Sequence, residues 1–201
     1  MKTAATTESV DVREKILAIG QQIMGAKGFS AVGLNEILTT ASVPKGSFYH
    51  YFGSKEAFGE ALLETYFEGY LADIDRTMRE GGLTMAQRLL NYFRDWENNQ
   101  SFLDCQGKCL AVKLGAEVAD LSEAMRSSLK RGTSGIVDRL ANAIEAGSTE
   151  GSLSVDASPR DTAQSLYQLW MGASVMVKIV RTTEPFAQAL ITTRQILHLP
   201  A

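Results

Sequence analysis

Cysteine and histidine are scarce in this chain, with two of each among 201 residues. Cys105 and Cys109 lie about one helical turn apart, a spacing that does not suit a structural disulfide framework. His50 and His198 lie far apart and lack the ligand spacing of a zinc site, which needs about four Cys, His or carboxylate groups. The sequence therefore excludes a disulfide-dense miniprotein and predicts no metal and no cofactor.

Long apolar runs are also missing. The longest stretch, from Trp170 to Val177, stops at Lys178 and is far shorter than the roughly 18 residues that suggest a membrane span. The first residues lack the apolar segment of a secretory signal. With 45% apolar and 21% charged residues, the composition is that of a globular protein. We therefore expect a cytoplasmic protein of one or two domains without a membrane partner.

Sustained alternation of apolar and polar residues, which would build a β-sheet, is likewise absent. Apolar positions instead recur at threes and fours, and Gly28, Pro44 and Gly53 fall where helices begin or end. The pattern predicts an all-α protein of about nine helices with short polar connections. The predicted helices span residues 12–27, 34–41, 44–52, 55–80, 85–99, 107–118, 122–146, 159–180 and 185–197.

The second and third predicted helices are joined by a turn of about four residues, which is typical of a helix-turn-helix. On the third helix, Phe48 and Phe52 share the side expected to face the core. The opposite side carries Lys45, Gly46, Tyr49 and His50. This outer side combines a cation, a residue that permits close backbone approach, and donors for phosphates or base edges. It predicts a recognition helix for a DNA groove.

The charge distribution qualifies the overall balance. A net charge of −3 argues weakly against a nucleic-acid partner. Residues 11–58, however, hold five basic against four acidic side chains, whereas the rest of the chain holds fifteen against nineteen, and no acid occurs between Pro44 and Lys55. The alternative is an aromatic core cluster beside solvated lysines. The turn, the helix lengths and the charge together favour DNA binding.

Residues 43–52 and 54–58, with the sequences VPKGSFYHYF and SKEAF, resemble the signature of the TetR family of transcriptional repressors. The resemblance covers the chain and implies an all-α homodimer that binds a palindromic double-stranded operator and releases it with a small effector. It implies a flexible terminus at 1–10, a DNA-binding domain at 11–56 and an effector-binding and dimerisation domain at 57–201. Tyr49 and Lys55 match positions that hold phosphate. Positions near the groove are matched by Lys45, Gly46, Ser47 and His50.

Residues 107–114 and 116–123, GKCLAVKL and AEVADLSE, resemble the branch of this family that senses N-ethylmaleimide, other electrophiles and oxidants. The resemblance implies sensing at Cys109, with Lys178 matching a lysine that traps the oxidised sulfur. From the residues alone, neighbouring Lys108 and Lys113 favour a reactive thiolate. The alternatives are an inert buried Cys109 and a salt-bridged or solvent-facing Lys178. A bond from Cys105 to Cys109 and a noncovalent hydrophobic effector are further alternatives.

The last two predicted helices carry more apolar surface than one helix pair covers, which predicts a four-helix dimer interface. The residues concerned are Leu166, Leu169, Trp170, Ala173, Val177, Phe186, Ala189, Leu190, Ile196 and Leu197. A dimer also explains how two recognition helices meet half-sites about one DNA turn, or a multiple of it, apart.

The sequence does not favour an enzyme. Residues 20–27 faintly resemble a phosphate loop, but Ala26 stands where the lysine belongs and no strand precedes the segment. Neither histidine is placed to activate a serine or cysteine nucleophile. The remaining rival is a helical interaction module without DNA binding, which would leave Lys45, Tyr49 and His50 without a function.

Overall fold

A computed structural model describes residues 3–105 and 109–200, with the backbone alone at 3–11 and 101–105. These residues form nine α-helices and no strand, which confirms the predicted all-α fold class. The helices are α1 (Thr3–Lys27), α2 (Leu34–Ala41), α3 (Lys45–Phe52), α4 (Lys55–Met78), α5 (Met85–Cys105), α6 (Leu110–Leu121), α7 (Glu123–Thr149), α8 (Pro159–Val180) and α9 (Glu184–Ile196). No helix in the described ranges is long and apolar enough to cross a membrane.

Helix ends agree best with the sequence where a cap or breaker is present. At the start of α8, Ser158 Oγ accepts a hydrogen bond from the Asp161 backbone N–H at 3.1 Å, and Pro159 occupies the first helical position. Both ends of α8 lie where they were predicted. By contrast, α1 begins well before the predicted start near Val12, and α5 continues to Cys105. Of the helix predicted over 107–118, residues 107 and 108 lie outside the described residues, and α6 begins at Leu110.

The chain divides into two compact units. Unit 1 comprises Met1–Glu68 and Lys113–Arg131, and unit 2 comprises Gly69–Val112 and Gly132–Ala201. In unit 1, the rings of Phe48, Phe52 and Phe58 pack with centroids 5.0 to 5.3 Å apart. The other large buried side chains of this unit are Ile16, Met24, Ile37, Leu62 and Leu63. This core lies directly behind α3 and supports its outer face.

Unit 2 has an aromatic core between α5, α8 and α9. Trp170 stacks between Phe93 and Phe186, with ring centroids 4.8 and 5.6 Å away. Trp96 packs against Trp170 and against Tyr167, with ring centroids 6.1 and 5.7 Å away. Such aromatic pairs contribute beyond the area that they bury. They fix the facing surfaces of the three helices relative to one another.

Candidate functional site

The turn between α2 and α3 in unit 1 is short and tightly bonded. Ser42 adopts a left-handed conformation with φ 54°, and its backbone N–H donates to the carbonyl of Thr39 at 3.1 Å. The N–H of Val43 donates to the carbonyl of Leu38 at 3.0 Å, and extended Pro44 then precedes α3. These bonds satisfy carbonyls at the end of α2 while the chain changes direction. The geometry is that of the predicted helix-turn-helix.

The side chains of α3 divide between core and solvent as the helical spacing predicted. Phe48 and Phe52 are buried, and Ser47 is half-buried. The exposed residues are Lys45, Gly46, Tyr49 and His50. A Cβ atom added at Gly46 would meet nothing within 4 Å, and the Lys45 ammonium lies 5.9 Å from the Tyr49 ring centroid. The outer face of α3 therefore presents a cation, a phenol and an imidazole around an open stretch of backbone.

Lys55, at the start of α4, contacts the turn between α1 and α2. Its Nζ donates to the backbone carbonyl of Phe29 at 2.9 Å and lies 4.6 Å from the Phe29 ring centroid. Lys55 is only half-buried, and an ammonium has three N–H donors. The bond to Phe29 therefore leaves donors for a phosphate, and that role stays a prediction.

Glu117 of α6 holds the same turn, and the sequence reasoning missed it. Its two carboxylate oxygens accept hydrogen bonds from the backbone N–H groups of Phe29 at 3.0 Å and Ser30 at 2.6 Å. Gly28, with φ 95°, turns the chain beside this carboxylate. Burial opposes the charge on Glu117, but the hydrogen bonds from Ser30 and Phe29 and the charge of Lys55 outweigh it. The pKa of Glu117 is consequently below its ordinary value.

In unit 2, Cys109 lies immediately before α6 and is half-exposed. Three phenols from three helices lie within its electrostatic reach, namely Tyr70 of α4, Tyr92 of α5 and Tyr167 of α8. The hydroxyl oxygens of Tyr70 and Tyr92 are 3.2 Å apart. Burial raises the pKa of Tyr70 and of Tyr167, and the negative charge of Cys109 is the next cause for both. Burial also raises the pKa of Tyr92, so all three phenols are protonated hydrogen-bond donors at neutral pH.

The other residues predicted for the thiol chemistry are placed less closely. Lys178 is half-buried in the last turn of α8, in the same unit as Cys109. Its approach to the Cys109 sulfur stays a prediction. Lys108 and the side chain of Cys105 lie outside the described part of the structure, so a bond between the two cysteines also stays a prediction.

The apolar surface of α8 and α9 differs from the sequence expectation. Many of the residues predicted for a dimer interface form the core of the protomer itself: Leu166, Trp170, Ala173, Val177, Phe186, Ala189 and Leu197. The exposed apolar residues lie on another stripe of the same helices: Val175, Met176, Ile179, Val180 and Ile191. The C-terminal half of α8 is apolar on several sides, so spacing alone could not separate its inward from its outward side.

Comparison with known proteins places both units in one context. Residues 16–62 match the family described as "Bacterial regulatory proteins, tetR family", and residues 86–193 match the family described as "Tetracyclin repressor-like, C-terminal domain". The chain is 42% identical to the HTH-type transcriptional repressor NemR of Escherichia coli K12, over 95% of this chain and 96% of that protein. It is 34% identical to the HTH-type transcriptional repressor DhaR of Mycobacterium sp. GP1, over 92% of each chain. The crystal structure of the reduced form of E. coli NemR superposes with a TM-score of 0.90 at 43% identity, over 95% of this chain and 99% of that one.

Proposed function

The chain belongs to the TetR family of bacterial transcriptional regulators, and from this premise we propose that it is a homodimeric repressor switched by a thiol. The dimer binds a palindromic double-stranded operator through α3, and modification of Cys109 by an electrophile or oxidant releases it. DNA binding resides in residues 11–56, and effector binding and dimerisation reside in residues 57–201.

The outer face of α3 is the observation that carries the DNA-binding proposal. Its four exposed residues sit on a helix whose opposite side is anchored in a phenylalanine core. An α-helix fits the major groove of B-DNA, where such donors reach base edges and phosphates. The position of Lys55 at the start of the next helix adds a cation beside this face.

A second copy of the chain supplies the other half of the operator contact. The exposed apolar stripe of α8 and α9 offers the protomer a self-complementary surface, as a twofold dimer requires. Burying such residues against a partner removes them from water and stabilises the association. Two recognition helices then meet two half-sites, and the effector acts by changing their match to the operator spacing.

Two observations support thiol sensing. Cys109 is accessible to small reagents because it is half-exposed, and protonated phenols lie near it. The structure of the E. coli relative is described as a reduced form, which names a redox state for that protein. Lys178 is the residue that we expect to trap an oxidised sulfur. To reverse the occupancy of two states from 1:99 to 99:1, the modification must favour the released state by about 5.5 kcal/mol.

The test is operator-fragment binding by the reduced dimer at fixed salt, before and after one equivalent of an electrophile, with Cys109→Ser alongside. We expect the parent to lose binding and Cys109→Ser to retain it. Binding retained by both proteins would contradict thiol sensing and point to a noncovalent hydrophobic effector.

A control isolates the DNA-binding half of the proposal. The triple variant Lys45→Ala, Tyr49→Ala and His50→Ala changes only exposed side chains, so its fold should be intact by circular dichroism. We expect this variant to lose operator binding before any electrophile is added. Unchanged DNA retention would instead support a helical interaction module without a DNA partner.

A further inference from the structure

Tyr167 is a buried phenol whose hydroxyl forms no hydrogen bond with any described residue. The residue is 7% exposed, and its ring is fixed edge-on against Trp96 with centroids 5.7 Å apart. Buried hydroxyls normally have a partner, because leaving one unsatisfied costs about 1–3 kcal/mol. The neighbouring hydroxyls of Tyr70 and Tyr92 pair with each other at 3.2 Å. The Tyr167 hydroxyl is therefore a rigidly held donor available to a ligand atom.

The position of this donor points to a particular ligand chemistry. Among the causes that raise the pKa of Tyr167, the charge of Cys109 follows burial, so the phenol and the thiol lie within reach of one small molecule. A protonated phenol donates to an oxygen acceptor, while the thiolate attacks an electrophilic carbon. A compound that presents both groups a few bonds apart is a conjugated carbonyl.

We propose that Tyr167 is a specificity-determining residue that hydrogen-bonds the carbonyl oxygen of an α,β-unsaturated carbonyl compound while Cys109 adds to its β-carbon. The inference rests on the proposed thiol sensing and names the electrophile class that the site prefers. It separates carbonyl-bearing electrophiles from reagents that react with a thiolate but carry no oxygen acceptor.

The addition follows a balanced course. The Cys109 thiol first gives its proton to water, and the thiolate sulfur forms a bond to the β-carbon. The carbon–carbon π bond breaks, and its electron pair moves through the conjugated system onto the carbonyl oxygen. Tyr167 donates to this oxygen as negative charge develops there, in the manner of an oxyanion-stabilising group. Water then returns a proton to the α-carbon, which leaves a thioether and no net oxidation.

The test compares two electrophiles on the full-length reduced protein. Methyl vinyl ketone carries the carbonyl acceptor, whereas methyl iodide transfers a methyl group to sulfur and carries no oxygen. Modification is followed by mass spectrometry of tryptic peptides, where Lys108 places Cys105 and Cys109 in different fragments. The variant is Tyr167→Phe, which removes one hydroxyl and keeps the ring. The matched control is Tyr66→Phe, one turn before Tyr70 on α4.

We expect Tyr167→Phe to slow the reaction of Cys109 with methyl vinyl ketone by at least about tenfold and to leave its reaction with methyl iodide unchanged. Tyr66→Phe should change neither rate. Unchanged rates with both reagents, or equal slowing of both, would overturn the proposal, because the phenol would then not act on the carbonyl oxygen.

Failure of the inference is distinguishable from failure of the proposed function. If Cys109 of the parent reacts with methyl vinyl ketone and the operator is released, thiol sensing stands whatever Tyr167→Phe does. If Cys109 of the parent does not react with either reagent, both thiol sensing and the role of Tyr167 are contradicted. A thermal melt of Tyr167→Phe checks that the variant is folded, and its methyl iodide rate reports the thiolate directly.

Discussion

Two buried hydroxyls hold the indole groups of unit 2. Thr193 Oγ1 accepts a hydrogen bond from Trp170 Nε1 at 2.9 Å and donates to the carbonyl of Ala189 at 2.7 Å. Ser174 Oγ accepts from Trp96 Nε1 at 2.9 Å and donates to the carbonyl of Trp170 at 2.8 Å. Each hydroxyl thus uses its donor and an acceptor lone pair inside an apolar core. Removing either one leaves an indole N–H without a partner in a site closed to water.

Replacing Thr193 with valine keeps the shape of the side chain and removes this acceptor. We expect the free energy of unfolding of Thr193→Val to fall by about 1–3 kcal/mol, measured by urea denaturation. Thr192→Val is the matched control, because its side chain is half-buried and the change should be small. Equal stability of the two variants would contradict the role given to the Trp170 bond.

Lys45 makes a second prediction at the residue scale. Its ammonium is exposed on the outer face of α3, so DNA binding should displace a counterion from the phosphates near it. We expect Lys45→Ala to weaken operator binding and to reduce the slope of log affinity against log salt by about 1. Lys130→Ala, an exposed lysine of α7, should leave the slope unchanged. An unaltered slope for Lys45→Ala would contradict a contact between its charge and DNA.

At the scale of elements, α6 is joined to the helix-turn-helix through Glu117. This carboxylate accepts two backbone N–H groups of the turn between α1 and α2 and is strongest as an acceptor when ionised. Its pKa is lowered in the folded protein, so its stabilisation is complete above the ordinary glutamate pKa. The stabilisation is lost as the pH falls through the lower folded value.

We therefore expect Glu117→Gln to lower the melting temperature at pH 7, because a neutral amide offers only one acceptor oxygen to two donors. The difference between parent and variant should shrink as the pH falls below about 4. Asp120→Asn, an exposed carboxylate one turn along α6, is the matched control and should show neither effect. A difference that persists unchanged at low pH would show that the charge of Glu117 does not stabilise the turn.

The same comparison shows what the sequence predicts and what it cannot. α8 was predicted to the residue because Ser158 and Pro159 define its start by local chemistry. α5 was predicted too short because no glycine or proline follows Asn99 before residue 107, so nothing local ends the helix there. The contact of Glu117 with Phe29 joins residues 88 positions apart, and no local pattern specifies such a partner.

For the candidate site, the sequence predicted the division of α3 into a buried and an exposed side, since one helical period decides it. It did not predict the phenols near Cys109, because Tyr70, Tyr92 and Tyr167 come from three helices brought together only by packing. Periodicity reports which side of a helix is buried, and tertiary contacts decide what that side meets.

At the scale of the whole molecule, the exposed stripe of α8 and α9 should decide the oligomeric state. Ile179 on this stripe is 66% exposed in the single chain, and a glutamate there would place a charge in an apolar interface. We expect Ile179→Glu to sediment as a monomer and to lose most operator binding, because one recognition helix engages only one half-site. Leu121→Glu, at an equally exposed leucine of unit 1, should remain a dimer. Dimers of Ile179→Glu in sedimentation would show that another surface joins the protomers.

The aromatic core of unit 2 gives the molecule an intrinsic optical reporter. Trp96 and Trp170 are its only tryptophans, and both lie in that unit. Trp96 touches the Tyr167 ring, while Trp170 is sealed between two phenylalanines. The emission of Trp96 should therefore respond to events beside Cys109, whereas that of Trp170 follows the integrity of the core. With Trp96→Phe as the dark reference, stopped-flow fluorescence of the unlabelled protein can time the arrival of an electrophile separately from the release of DNA.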